Sequence, residues 1–327
     1  MNYIKSLLAL VSIFLFFKID ADEVKYYQDR PEVLEFVDVM YQKHGFAKDE
    51  LIQLFSSANF QEKVVRIMDR QPEGVMNWTS YKSMMLTPER VSSGEMFIKS
   101  YMKDLRRAED IYGVPAEIIA SIIGIETRYG KVKGNIRVLD SLMTLSFDYP
   151  RRSSFFKRQL EEFLLLAKEE NLEVSKVRGS IAGAMGYGQF MPDSYRDYAV
   201  DFDFDGKRDI LESPVDAIGS VANFLSIKGK WEPHTQIAVK ARLIGERPKL
   251  ESAFKPYIKV SDLNDLGIKP ISKLQSRLLV VPIELELNEG HEYWLGLKNY
   301  HSLSRYNRSK LYVMAVFEFS ELLRKFF

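Results

Sequence analysis

Val114-Pro115-Ala116-Glu117-Ile118-Ile119-Ala120-Ser121-Ile122-Ile123-Gly124-Ile125-Glu126-Thr127-Arg128-Tyr129-Gly130 is an almost wholly apolar run that closes on one carboxylate. Its spacing predicts a short buried helix. Pro115 suits a first helical position and Gly130 a stop just past the end. Ile118, Ile119, Ile122 and Ile123 recur at helical intervals as one stripe. Glu126 follows Ile122 by four residues and Ile123 by three, so it falls on that stripe. It also lies in the last turn, where the helix dipole disfavours negative charge. Desolvation and the dipole both push its carboxyl upward in pKa, as a general acid working near neutrality requires. The alternative is a buried carboxylate paired with Arg128 or another cation for structure.

Outward from this helix, 327 residues suffice for one large or two ordinary domains. With 46% hydrophobic and 28% charged residues, the chain has a globular composition. A net charge of +1 and no long basic run give no footprint for nucleic acid or an anionic membrane. The absence of cysteine excludes disulfides, thiolate zinc sites and a cysteine nucleophile. Four histidines form no recognisable pair, and no HExxH, Walker loop or dinucleotide fingerprint occurs.

The N-terminus reads as a secretory leader. Lys5 supplies the positive end, Ser6 to Phe17 an uncharged apolar stretch, and Ile19-Asp20-Ala21 a small residue before cleavage at Asp22. That stretch is too short to span a bilayer. No cysteine is available there for lipidation, so the expectation is an exported, periplasmic and soluble chain.

Helical patterning runs from about Glu32 to Arg106, with an amphipathic run from Leu51 to Ile67 and loops at Gln71-Pro72-Glu73-Gly74 and Leu86-Thr87-Pro88. Glu95 to Ile111 forms a further helix. Ser153 or Ser154 can cap a long helix through Glu170. Another helix spans about Pro214 to Lys228. Past Trp231 the pattern turns to strands, at Gln236 to Ala241 and Leu279 to Leu287, before a last helix from Lys310 to Phe327.

Two segments carry chemistry. Asp201-Phe202-Asp203-Phe204-Asp205-Gly206-Lys207-Arg208-Asp209-Ile210-Leu211-Glu212 has the spacing of a calcium loop, with acidic oxygens at positions one, three, five, nine and twelve and glycine at six. Arg208 replaces the usual apolar residue, and a solvated acidic turn is the alternative. Gly179-Ser180-Ile181-Ala182-Gly183-Ala184-Met185-Gly186-Tyr187-Gly188-Gln189-Phe190-Met191-Pro192 is glycine-rich. It either lets a ligand approach the backbone, with Ser180, Tyr187 and Gln189 as polar groups, or is a tight packing crossing.

ETRYG, YPRR, GSIAGAMGYGQFMP, the calcium-type loop and PVDAIGSVANF, in this order, resemble the family 3 lytic transglycosylases of the membrane-bound lytic murein transglycosylase B type, here without a lipobox cysteine. The resemblance covers nearly all of the chain after the leader. It implies an α+β, mainly α fold: a lysozyme-like core with an embedded EF-hand-like loop, an N-terminal helical part and a small C-terminal β region. The leader then occupies 1–21 and one catalytic unit 22–327. Within that unit the helical part covers about 30–110, the core about 111–230, closed by 300–327, and the β region about 235–300.

By that resemblance Glu126 is the single acid/base. Tyr81, Arg151, Arg152, Ser180, Gln189, Tyr306, Asn307 and Tyr312 match substrate-groove positions. Phe224 stands where the family often carries tyrosine, which removes a hydroxyl contact. Structural calcium takes Asp201, Asp203, Asp205, Lys207 and Asp216; simple loop counting ends on Glu212 instead, and a one-residue length difference around Ser213 leaves that choice open. No cofactor serves the chemistry.

The implied reaction is lyase cleavage of the β-1,4 bond between N-acetylmuramic acid and N-acetylglucosamine in peptidoglycan, giving a 1,6-anhydromuramoyl end. Ordinary glycosidases need a second carboxylate, and none is identifiable beside Glu126. Asp140 and Asp148, the nearest downstream acids, are expected to be solvated loop carboxylates. The implied partners are glycan strands and other cell-wall enzymes, with the protein a monomer. A muramidase hydrolase on the same fold and a non-catalytic calcium-stabilised peptidoglycan-binding protein are the rival functions.

Overall fold

The computed structural model describes residues 27–68 and 76–327. The leader and the loop at Gln71 to Gly74 lie outside them. The chain divides into two compact units, one ending at Ser56 and the other running from Ser57 to Phe327.

The first unit holds α1 (Pro31–His44) and α2 (Lys48–Ser56). Val33, Phe36, Val37 and Met40 form the buried stripe of α1 at helical spacing, and Phe36 meets Phe55 of α2 at 6.1 Å between ring centres. Gly45 ends α1 in the left-handed region, its N–H returning to Met40 and Tyr41 carbonyls.

The second unit is built on α3 (Glu62–Met68), α4 (Trp78–Met85), α5 (Pro88–Tyr112), α6 (Ala116–Thr127), α7 (Val138–Phe147), α8 (Ser153–Glu169), α9 (Pro192–Tyr198), α10 (Pro214–Ile227), α11 (Lys298–Ser304) and α12 (Lys310–Leu323). At its centre lies α6, packed on α5, α10 and α12. Every residue of α6 except Glu117 and Glu126 is buried. Isoleucine is only a middling helix former, so burial rather than propensity holds this helix. Gly124 is dictated by packing: a Cβ there would stand 2.5 Å from Tyr129 Oη and 2.8 Å from the Phe319 ring.

Five antiparallel strands make the β region: β3 (Ala238–Leu243), β4 (Ile258–Lys259), β5 (Ile268–Pro270), β6 (Leu279–Glu286) and β7 (His291–Gly296), in the order β4-β6-β7-β3-β5. Val239, Ala241, Val280, Tyr293 and Leu295 join Leu263 and Ile268 in a core of its own. Pro282 is tolerated within β6 because β4 pairs only with Leu279 and Val280, so the ladder on that side has already ended.

Several expected boundaries move. The run from Leu51 to Ile67 is two helices, α2 and α3. The helix expected from Glu95 begins at Pro88, where the Thr87 hydroxyl caps Arg90 N–H. Neither Ser153 nor Ser154 caps α8: Ser153 is its first residue, and its hydroxyl donates to the Ser146 carbonyl at 2.6 Å. The long tertiary partner won over the local cap.

Candidate active site

The central helix stops earlier than its glycine suggested. α6 ends at Thr127, and Arg128 and Tyr129 both take left-handed backbone (φ 50° and 59°). Tyr129 then folds back, burying its ring against Phe97 and between the glycines Gly94 and Gly124. Burial pushes its phenol well above the usual range. This bend leaves Glu126 partly exposed at the end of an otherwise buried helix.

Tyr312 meets it there. The Ser309 hydroxyl caps α12 by accepting the Tyr312 N–H, which sets Tyr312 in the first turn facing α6. Its hydroxyl donates to Glu126 Oε1 at 2.7 Å. The Tyr312 and Tyr306 rings stack at 6.4 Å with 9° between planes, and Tyr306 donates to the Gly188 carbonyl at 2.6 Å. Both phenols are raised well above their ordinary pKa, first by burial and then by the charge of Glu126. They therefore remain protonated and can only donate to these partners. Phe224 of α10 completes the cluster, edge-on to Tyr306 at 4.9 Å and 5.5 Å from Phe190.

The glycine-rich segment closes against the same helix end. The Thr127 hydroxyl accepts from Gly130 N–H at 2.9 Å and lies 3.0 Å from the Tyr187 carbonyl. A side chain at Gly134 would collide with the Gly179 carbonyl at 2.1 Å, because β1 (Ile136–Arg137) pairs with β2 (Arg178–Gly179). Ser180 Oγ accepts from the N–H groups of Ala182 and Ala184 at 3.2 and 3.1 Å. Gln189, itself at φ 50°, donates to the carbonyls of Gly186 and Lys133. Both side chains thus shape the loop. The segment is a tight crossing, its Tyr187 and Gly188 carbonyls tied to Thr127 and Tyr306 beside the end of the Glu126 helix.

The other groove residues are spread more widely. Asn307 is half-buried, and its amide has no hydrogen-bond partner among the described residues. Arg151 and Arg152 are exposed in a 3-10 turn ahead of α8, Arg152 lying 4.4 Å from the Phe155 ring. Tyr81 is fully buried on α4, which packs against α12, the helix that carries Tyr312. It sits behind the site rather than on its surface.

Asp140 corrects an expectation. It is 6% exposed, in the first turn of α7. Its Oδ1 accepts from Asn59 N–H at 2.9 Å and Arg137 Nε at 3.0 Å. It is a buried structural anchor, not a solvated loop carboxylate. Asp148 is partly exposed at the C-terminal end of α7. Sequence reasoning missed Thr127, Tyr129 and Lys133; a threonine one residue past Glu126, able to reach the next loop, was the one local signal.

In the acidic loop, carboxylate oxygens of Asp201, Asp203 and Asp205 lie within 4.8 Å of one another. Such an oxygen cluster suits a hard divalent cation. Asp216, in the first turn of α10, is 1% exposed. It accepts from the N–H groups of Phe202, Asp203 and Asp209, and burial raises its pKa despite those bonds. Glu212 turns outward to Lys133 at 2.7 Å. The Ser213 hydroxyl links the two halves, donating to Asp203 Oδ2 and accepting the Asp216 N–H.

Residues 28–321 match the family described as "Transglycosylase SLT domain", and the chain belongs to it. It is 42% identical over 306 residues to membrane-bound lytic murein transglycosylase B of Escherichia coli K12, covering 90% of this chain and 83% of that protein. The crystal structure of soluble lytic transglycosylase SltB1 from Pseudomonas aeruginosa superposes with a TM-score of 0.84 at 39% identity, covering 90% of this chain and 99% of that one. The Escherichia coli lytic transglycosylase Slt35 in complex with calcium gives 0.83 at 42% identity, covering 91% and 94%. The mainly helical fold with a small C-terminal sheet is shared with these structures.

Proposed function

We propose that this chain is a peptidoglycan lytic transglycosylase in which Glu126 serves as acid and then as base. The observation that carries the assignment is the Tyr312 hydroxyl on Glu126 Oε1, with Glu126 the carboxylate whose charge bears on both stacked phenols. Family membership and the lytic murein relative support the reaction class. Glu126 gives its proton to the glycosidic oxygen as the muramoyl C1–O bond breaks, and the ring passes through a cationic state. The carboxylate then takes the proton of the muramoyl C6 hydroxyl, whose oxygen closes onto C1. No water is consumed, because the internal hydroxyl is held near the reacting carbon. A hydrolase would need a second carboxylate to activate water.

In this reading Tyr306, Asn307, Tyr312 and Phe224 line the cleft beside Glu126, with Ser180 and Gln189 holding its glycine-rich border. Arg151 and Arg152 extend the groove, and Tyr81 supports it from behind. Asp201, Asp203, Asp205, the Lys207 carbonyl and Asp216 hold a structural calcium, which supplies charge neutralisation to the loop and no step of the reaction; the calcium complex of the Slt35 relative supports this. Among the described residues no helix is long and apolar enough to cross a membrane. The enzyme acts as an exported monomer on glycan strands, with other cell-wall enzymes as its partners. Mass spectrometry of digested peptidoglycan is the test: wild type yields 1,6-anhydromuramoyl products, lighter by one water than reducing ends, and Glu126→Gln yields almost none. A majority of reducing-end product would make the enzyme a muramidase.

A further inference from the structure

A groove of about 1180 Å³ lies between the end of α10 and the β region. Lys228, Lys230, Lys255, Arg277, Lys298 and Arg305 line it, against the single carboxylate of Glu232. The whole chain carries only +1, so this is a local concentration of charge. Glu232 offsets little, standing 3.8 Å from Lys298. Lys230, Lys255, Arg277 and Arg305 are exposed and have no ion pair among the described residues. Crowded like charges repel, and an anionic ligand would supply the missing countercharge. His301 on the same wall gauges the field. It is held below the usual imidazole range, first by burial and then by Arg305, Lys298, Lys255 and Arg308.

The groove is also amphipathic. Leu274, Leu278 and Leu279 are interleaved with the cations, and Leu278 and Leu279 are exposed. A lone phosphate calls for one compact cluster of donors. Cations spread along an open trough with aliphatic side chains between them suit an extended peptide bearing several carboxylates. The position agrees. Lys228 lies one turn beyond Phe224, and Arg305 directly precedes Tyr306, so two walls of the groove continue in the chain from residues of the proposed cleft.

We propose that this groove binds the carboxylate-bearing peptide stems of the glycan strand whose sugars occupy the Glu126 cleft. The inference rests on the proposed function, since it places both contacts on one polymer. A stem tethered to a bound strand binds at high effective concentration, so modest contacts suffice.

The experiment compares wild type with the double variant Lys230→Glu, Arg277→Glu on intact peptidoglycan and on glycan strands stripped of stems by an amidase. The variant should lose about tenfold in kcat/KM on intact material, mainly through KM, and match wild type on stripped strands. Titrating wild type with the free tetrapeptide stem should move the His301 imidazole signals in NMR, and the variant should abolish that response. The neutral pair Lys230→Gln, Arg277→Gln should give a smaller loss in the same direction, which keeps the test decisive if charge reversal disturbs folding. Equal losses on both substrates, or none on either, would overturn the proposal. So would binding of inorganic phosphate or phosphatidylglycerol vesicles through these residues at matched ionic strength, with no response to the stem. Absence of anhydro product from wild type would instead defeat the proposed function, while the NMR titration would still decide the groove.

Discussion

Tyr312 and Tyr306 share a stack, yet their hydroxyls do different work. Tyr312 donates to the Glu126 carboxylate, a charge-assisted bond that fixes the orientation of that group. Tyr306 donates to a main-chain carbonyl of the glycine-rich loop. Removing each hydroxyl with the ring retained separates the two. Tyr312→Phe should cut kcat by roughly 10- to 100-fold with KM little changed, as expected when a group acting through the acid is lost. Tyr306→Phe should act mainly on KM through the loop. Steady-state kinetics on soluble glycan strands checks both, and unchanged kcat in Tyr312→Phe would remove that tyrosine from the mechanism. Helical periodicity placed Glu126 on an isoleucine stripe at a helix end, which fitted an acid and a structural carboxylate equally; the family resemblance supplied the acid/base role. Its partner was not legible locally. Tyr312 lies 186 positions away, and no local pattern encodes which distant side chain will face a helix end; only the family resemblance pointed to it.

The acidic loop is the element whose design can be tested by itself. The spacing of Asp201, Asp203 and Asp205 was readable because alternate residues of a tight loop turn the same way. Counting on to Glu212 and placing Asp216 last are distinguished by their surroundings. Ser213 begins a new helix, so Glu212 points to Lys133 while Asp216 returns into the loop and takes three of its N–H groups. Excess Ca²⁺ should raise the melting midpoint over EDTA by about 5 °C if it stands near a hundredfold above its Kd. Glu212→Ala should keep that rise and Asp203→Ala should lose it. Asp216→Ala should lose it and melt earlier even in EDTA, since three main-chain donors are orphaned. Equal midpoints with and without calcium would remove the ion from the structure. Other elements were misjudged at their ends for a related reason: Ser153 has the chemistry of a cap, but the Ser146 carbonyl claims its hydroxyl.

Across the whole molecule, ionic ties join elements far apart in sequence. Glu169 of α8 pairs with Arg196 of α9, and Glu284 of β6 with Arg247; hydrogen bonds from these arginines are the main reason both carboxyls lie below their ordinary range. A depressed carboxyl stabilises the fold above its unfolded pKa, and that contribution is lost as pH falls through the folded value. Thermal midpoints in EDTA should therefore drop as pH is lowered from about 5 to 3, and Glu169→Gln with Glu284→Gln should flatten that drop. An unchanged slope in the double variant would place the acid sensitivity elsewhere. The same long reach in sequence governs when the enzyme can first act. α6 and α12 are distant in the chain and meet only through long-range packing, the slowest kind of contact to form. Until the final helix docks, Glu126 has no phenol to aim it. The reactive geometry is thus a late product of folding: it is absent from any intermediate in which a helix 186 positions downstream has yet to settle.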